Sequence, residues 1–150
     1  MDNRKTILLV EDNPDDLELT LLALKRSNLG QDIVVARDGQ EALDYLFGEG
    51  NYAQRDTREL PVMTLLDLKL PKINGLEVLQ RIRSEPRTRR LPVVILTSSD
   101  ERGDLVASYN LGANSYVRKP VDFAQFNEVL RQLTLYWLRV NLPPPATELP

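Results

Sequence analysis

The sequence predicts an α/β protein, one doubly wound sheet of five parallel strands with helices on both faces. Three observations carry this reading. Short apolar runs alternate five times with segments of helical periodicity; no two apolar runs are joined by a hairpin signal; and the central run, Val62 to Leu66, is apolar at every position except Thr64. Parallel strands need crossover connections, which the helices supply. A strand without polar alternation is covered on both faces. The length, 150 residues, suits one domain of this kind and leaves no room for a second.

The elements come in order along the chain. Thr6 to Val10 is the first strand, and Asn13-Pro14 supplies a helix cap with Pro at the first helical position before the periodic segment Leu17 to Leu24. Ile33 to Ala36 is the second strand, and Asp38 to Glu41 has capping-box spacing ahead of Ala42, Leu43, Leu46 and Phe47. Gly48 to Leu60 is polar and turn-rich, the longest connection before the third strand. Asn74 to Glu77 repeats the capping spacing, Leu76, Leu79 and Ile82 make the next helical stripe, and Pro86 stops it. Val93 to Leu96 is the fourth strand; Asp100 caps a weak helix that runs to Leu111 and ends at Gly112. Ser115 to Val117 is the fifth strand, Asp122 opens a long last helix, and Pro143-Pro144-Pro145 forbids its continuation.

Composition narrows the chemistry. Hydrophobic residues make up 42% and charged residues 27%, a globular balance, and no apolar run approaches a membrane span. The N-terminus carries no export signature, so the expected location is the cytoplasm. The chain has neither Cys nor His. Thiol chemistry, imidazole bases and Cys- or His-ligated metals are therefore excluded, and any metal must be held by oxygen. A net charge of −3, from 19 basic and 22 acidic residues, offers no footprint for nucleic acid.

In open parallel sheets, ligands bind beyond the carboxyl ends of the strands. There the sequence sets Glu11 and Asp12 after the first strand, Asp67 after the third, Thr97 at the end of the fourth and Lys119 after the fifth. Taken alone, Glu11 and Asp12 read as helix N-terminal acids, and Thr97 as an ordinary strand-end hydroxyl. Together they describe a reaction centre. Three crowded carboxylates call for a compensating cation, and an all-oxygen donor set selects a hard ion such as Mg²⁺, with Mn²⁺ able to substitute. A carboxylate can also act as nucleophile toward phosphorus. Asp67 is placed for that, with Lys119, the Thr97 hydroxyl and the small Ser98, through its backbone N–H, to stabilise charge on phosphoryl oxygens.

The runs Val10-Glu11-Asp12-Asn13, Leu65-Leu66-Asp67-Leu68-Lys69-Leu70-Pro71, Asn74-Gly75, Leu96-Thr97-Ser98 and Lys119-Pro120 resemble, in order and spacing, the signature of two-component receiver domains. The resemblance covers about residues 6 to 140, which makes residues 1–142 a receiver domain and residues 143–150 a proline-rich tail. It implies a flavodoxin-like (βα)5 fold with strand order 2-1-3-4-5 and phosphorylation of Asp67 by a sensor histidine kinase. It further implies Mg²⁺ held by Asp12, Asp67 and the Lys69 backbone carbonyl, with Glu11 mainly through water, and only weak self-phosphorylation and autodephosphorylation. The Lys119-Pro120 bond is expected in cis, and Thr97 and Tyr116 match the family's switch pair. A narrower resemblance, through Asp44 to Leu46, Asn51 to Ala53, Asp67 to Lys72 and Tyr136 to Leu138, points to the response regulators of bacterial and cyanobacterial phytochromes. The Lys69 side chain either overhangs the phosphoryl group or is a solvated lysine.

Output would then be protein contact. On the last helix Phe126, Val129, Leu130, Leu133, Trp137 and Val140 form a stripe read as core, whereas Leu135, Leu138 and Leu142 lie on a second face, read as a homodimer interface with the fourth helix and fifth strand. Three alternatives compete. A relay adaptor would pass phosphate on to another protein's histidine, and sequence does not separate it from a terminal switch. A flavin or nucleotide binder of the same topology would want a Gly/Ser/Thr cradle where Glu11, Asp12, Asp15 and Asp16 stand. An aspartate phosphatase would want an acid where Lys69 is.

Overall fold

A computed structural model describes residues 5–27 and 29–145. One sheet in the order β2-β1-β3-β4-β5, all pairings parallel, forms the centre. Its strands are β1 (Lys5–Val10), β2 (Gln31–Ala36), β3 (Met63–Leu66), β4 (Val93–Thr97) and β5 (Ser115–Arg118), and the helices are α1 (Pro14–Ser27), α2 (Gly39–Phe47), α3 (Gly75–Ser84), α4 (Arg102–Asn110) and α5 (Phe123–Leu135). Residues 146–150 of the expected tail lie outside the described residues.

Side-chain alternation along the strands separates two cores. Leu8, Val10, Leu66 and Ile95 face α2 and α3, meeting Ala42, Leu46, Val78, Leu79 and Ile82. Ile7, Leu9, Leu65, Val94 and Leu96 face α1 and α5, meeting Leu17, Leu24, Phe126 and Leu130. Every residue of β3 and β4 is buried, as a doubly covered strand requires. The expected caps form at four helices, with Asp122 Oδ1 accepting from Ala124 N at 2.8 Å at the start of α5. Asn13 Oδ1 accepts from Asp16 N at 3.0 Å, Asp38 Oδ1 from Glu41 N at 2.7 Å, and Asn74 Oδ1 from Glu77 N at 3.0 Å. Gly48 ends α2 with φ +67°, the left-handed conformation that glycine adopts without penalty. The long connection after it is ordered by Arg55, which lies 4.0 Å over the Tyr45 ring and donates to the Tyr45 and Glu59 carbonyls.

The structure corrects three expectations. Asp100 does not cap α4; it faces solvent 3.9 Å from Arg118, and Ser99 organises that turn through a 2.6 Å bond to Asp104. The Lys119–Pro120 bond is trans, like every other peptide bond among the described residues. Trans is the lower-energy form before proline by about 0.5–1 kcal/mol, and Lys119 is already held by its N–H to Thr97 O at 2.8 Å.

The third correction concerns the end of the last helix. α5 passes into a π-helical turn, Tyr136–Val140, closed by Asn141 N donating to Tyr136 O at 2.7 Å. The wider turn takes an additional residue and rotates the residues after it against the α-helical pattern. Leu138 is thereby carried into the core at 1% exposure, while Val140 turns out to 62%. Of the three leucines expected at an interface, Leu135 and Leu142 are exposed and Leu138 is core. Leu138→Ala is therefore expected to cost about 2–5 kcal/mol through a cavity, read as a lowered thermal midpoint. Leu142→Ala should stay within about 0.5 kcal/mol.

Candidate functional site

The backbone ladders continue beyond the strand ends and aim the polar groups. Glu11 N donates to Ala36 O at 3.0 Å, Asp67 N to Val10 O at 3.1 Å, and Lys119 N to Thr97 O at 2.8 Å. Glu11, Asp67 and Lys119 are thus set by register at the carboxyl rim, with Thr97 the last residue of β4.

Glu11, Asp12 and Asp67 each bring a carboxylate oxygen within 4.8 Å of the others. Glu11 and Asp67 are buried and Asp12 is exposed. Lys119, with its side chain only 7% exposed, reaches into this group. Its ammonium donates to Glu11 Oε1 at 2.5 Å, Asp16 Oδ2 at 2.9 Å and Asp67 Oδ2 at 3.0 Å. The other oxygen of Asp67 accepts from Leu68 N at 2.7 Å, and the other oxygen of Glu11 accepts from Asn13 N at 3.1 Å.

Burial pushes the Glu11 carboxyl up to about 7; the Lys119 hydrogen bond opposes this shift and the charge on Asp67 adds to it. Burial works against the Lys119 charge, but the surrounding carboxylates outweigh it and hold the ammonium above its ordinary range. One ammonium therefore does not fully compensate this cluster. A buried carboxyl that resists ionisation beside two other acids, in a chain with no Cys or His, is a donor set that fits a hard divalent cation.

The remaining expected residues sit around this centre. Lys69 is exposed and lines an open recess of about 520 Å³ with Asp12, Leu68, Asn74, Glu101 and Asp104. Ser98 is exposed, while its neighbour Ser99 is buried. Ser99 N donates to Thr97 Oγ1 at 3.3 Å, and its carbonyl accepts from the Tyr116 hydroxyl at 3.3 Å. Thr97 and Tyr116, the expected switch pair, are thereby linked through Ser99. Two contributors were given no role at the site by the sequence. Asp16, an acid in the first turn of α1, holds Lys119. Gly75 packs under Asp67, where a Cβ would lie 2.2 Å from the Asp67 carbonyl oxygen.

A doubly wound sheet with an acidic cluster and a buried lysine at the ends of β1, β3 and β5 defines the class of phospho-accepting receivers. Comparison with known proteins agrees. The response regulator receiver domain model matches residues 7–131. Response regulator Rcp1 of Synechocystis sp. is 38% identical over 140 residues, covering 93% of each chain. Its Mn²⁺-bound crystal structure superposes with a TM-score of 0.86. The phosphorylated cyanobacterial phytochrome response regulator RcpA is 40% identical, with a TM-score of 0.87 over 94% of this chain and 99% of that one. The bacteriophytochrome response regulator RtBRR is 54% identical, with a TM-score of 0.76 over 96% of this chain and 86% of that one. The chain belongs to the response regulator receiver family, and its relatives include the response regulators of phytochromes. No helix among the described residues is long and apolar enough to cross a membrane.

Proposed function

We propose that Asp67 accepts a phosphoryl group from the phosphohistidine of a sensor histidine kinase, and that residues 1–142 form the receiver unit that reports its arrival. The observation that carries this reading is the Lys119 ammonium held 3.0 Å from the Asp67 carboxylate. In transfer, an Asp67 oxygen attacks phosphorus, the histidine N–P bond breaks, and the departing imidazole nitrogen takes up a proton. Asp67 Oδ1 is steadied by Leu68 N–H while Oδ2 faces Lys119. Lys119 and the Thr97 hydroxyl then stabilise charge on the phosphoryl oxygens, with the backbone N–H of Ser98 as a further donor. Glu11, Asp12, Asp67 and the Lys69 carbonyl would hold Mg²⁺, or Mn²⁺ as in the Rcp1 relative, and the ion when bound supplies neutralisation of phosphoryl charge. Water attack on phosphorus returns Asp67 to its carboxylate, releasing inorganic phosphate.

Drawing Thr97 toward the phosphoryl group would pull on Ser99 and so on Tyr116, coupling the site to the face of α4, β5 and α5. Leu105, Val106 and Tyr109 on α4 and Leu135, Tyr136, Val140 and Leu142 in and after the last helix are exposed, and a second copy of the chain is the partner we propose for the α4, β5 and α5 face. A phytochrome-type kinase is the partner class that the relatives suggest.

The test is incubation with acetyl phosphate, with Mg²⁺ or EDTA, read by intact mass. Wild type is expected to gain one phosphoryl group only with Mg²⁺, and Asp67→Asn to gain none. Phosphorylation of Asp67→Asn, or none of wild type with either acetyl phosphate or a phosphorylated kinase, would overturn the assignment.

A further inference from the structure

Lys119 has three N–H donors and three carboxylate partners. Two of these partners, Glu11 and Asp67, belong to the cluster that fits a divalent cation. Asp16 does not. It stands in the first turn of α1 with its carboxylate 37% exposed, 2.9 Å from the ammonium. Its position is over-determined: Asp16 N donates to the Asn13 cap at 3.0 Å, and Asp16 O accepts from Thr20 Oγ1 at 2.7 Å. Asn13 N in turn donates to Glu11 Oε2 at 3.1 Å. A closed circuit results, running from Lys119 to Asp16, along the backbone to Asn13, and back through Glu11 to Lys119.

We infer that Asp16 is a positioning residue, the anchor that keeps the Lys119 ammonium aimed at the phosphoryl group when the metal and the phosphoryl group claim Glu11 and Asp67. The inference rests on the phospho-acceptor reading above. A cation at the cluster competes for the carboxylate oxygens that now hold Lys119, and phosphorylation converts Asp67 from a free carboxylate into an acyl phosphate. Both events loosen the hold of those two partners. Asp16 lies outside both and can keep one N–H while another turns to a phosphoryl oxygen. Without it, a long flexible lysine has to be ordered by the reacting group alone, at an entropic cost.

An opposing effect has the other sign. Asp16 adds negative charge near an anionic phosphodonor, and its loss relieves repulsion. Its partial exposure lets water screen that charge, whereas the hydrogen bond to Lys119 is local and charge-assisted. Positioning therefore prevails.

The experiment measures phosphorylation by acetyl phosphate across donor concentrations, together with Mg²⁺ affinity by calorimetry, for wild type, Asp16→Ala, Asp16→Asn, Lys119→Met and Asp16→Ala/Lys119→Met. Asp16→Ala is expected to lower the maximal rate about tenfold, the scale of losing one charge-assisted hydrogen bond, with Mg²⁺ affinity unchanged within about twofold. Asp16→Asn keeps an oxygen acceptor for the ammonium and should recover most of the rate. In the Lys119→Met background, Asp16→Ala should have no further effect, which a general weakening of α1 would not produce. The proposal is overturned by an Asp16→Ala rate equal to or above wild type, by equal loss in both backgrounds, or by a loss that follows Mg²⁺ affinity. If wild type itself is not phosphorylated by donor or kinase, the receiver reading fails first.

Discussion

Lys119→Met is expected to slow phosphorylation of Asp67 roughly 100-fold or more, the range for removing one preorganised donor from a developing oxyanion. Methionine keeps much of the aliphatic stem, so the loss isolates the charge. The same change uncovers the cost of the acidic cluster. In the metal-free protein, Glu11 is pushed up to about 7 even with Lys119 beside it. Its folded value lies above its ordinary 4.5, so the folded state binds more protons across that interval and stability declines as pH rises through it. Lys119 stabilises the folded state, with the same sign of pH dependence but over another range. Its folded value is raised, so its contribution is complete below its ordinary 10.5 and constant from pH 5 to 8. Removing it drives Glu11 higher still and extends the decline above pH 7. With EDTA present, thermal midpoints of Lys119→Met and wild type should therefore differ more at pH 8 than at pH 5. Equal differences at both would mean that Glu11 is not compensated by Lys119.

The fold was legible because its signals are local and agree with one another. Asn13-Pro14, Asp38 and Asn74 announce helix starts by side-chain chemistry that needs no distant partner, and the run of β3, apolar except at Thr64, announces a doubly covered strand. Topology then did the rest for the site, since any parallel sheet gathers its strand ends at one rim; Glu11, Asp12, Asp67, Thr97 and Lys119 could be placed together without knowing a single distance. The features that stayed hidden depend on three-dimensional accidents. Whether α5 ends in an α or a π turn is a matter of one backbone hydrogen bond, yet it exchanges Leu138 and Val140 between core and solvent. Asp16 was visible only as one more acid near the N-terminus of α1, because its partner lies 103 residues away. Ser99, not Ser98 or Asp100, organises the turn after β4, and alternation alone could not say which serine points inward.

Gly75→Ala is the other substitution expected to act strongly, and for a reason unrelated to charge. α3 begins directly beneath the loop that carries Asp67, with Gly75 N donating to Leu68 O at 2.9 Å. A Cβ at Gly75 would stand 2.2 Å from Asp67 O and 2.7 Å from Leu68 Cα, both backbone atoms with no rotamer to yield. Either α3 or the Asp67–Leu68 peptide has to move, at a cost of about 1–3 kcal/mol or more, equivalent to a midpoint lower by about 2–4 °C per kcal/mol for a domain of this size. The displaced peptide is the one that orients the acceptor, and misplacement of about 1 Å can cost on the order of 100-fold in rate. Gly39→Ala provides the contrast: its Cβ would meet Ile73 O at 1.8 Å, beyond the reacting residues of the same loop. It should destabilise to a similar extent and slow phosphorylation much less once the folded fraction is accounted for. Gly103→Ala meets nothing within 4 Å and should stabilise α4 by up to about 1 kcal/mol through helix propensity. Phosphorylation rates measured well below each midpoint discriminate the two explanations. A Gly75→Ala rate no lower than that of Gly39→Ala would show that the acceptor loop tolerates the shift and that the close approach of α3 serves stability alone.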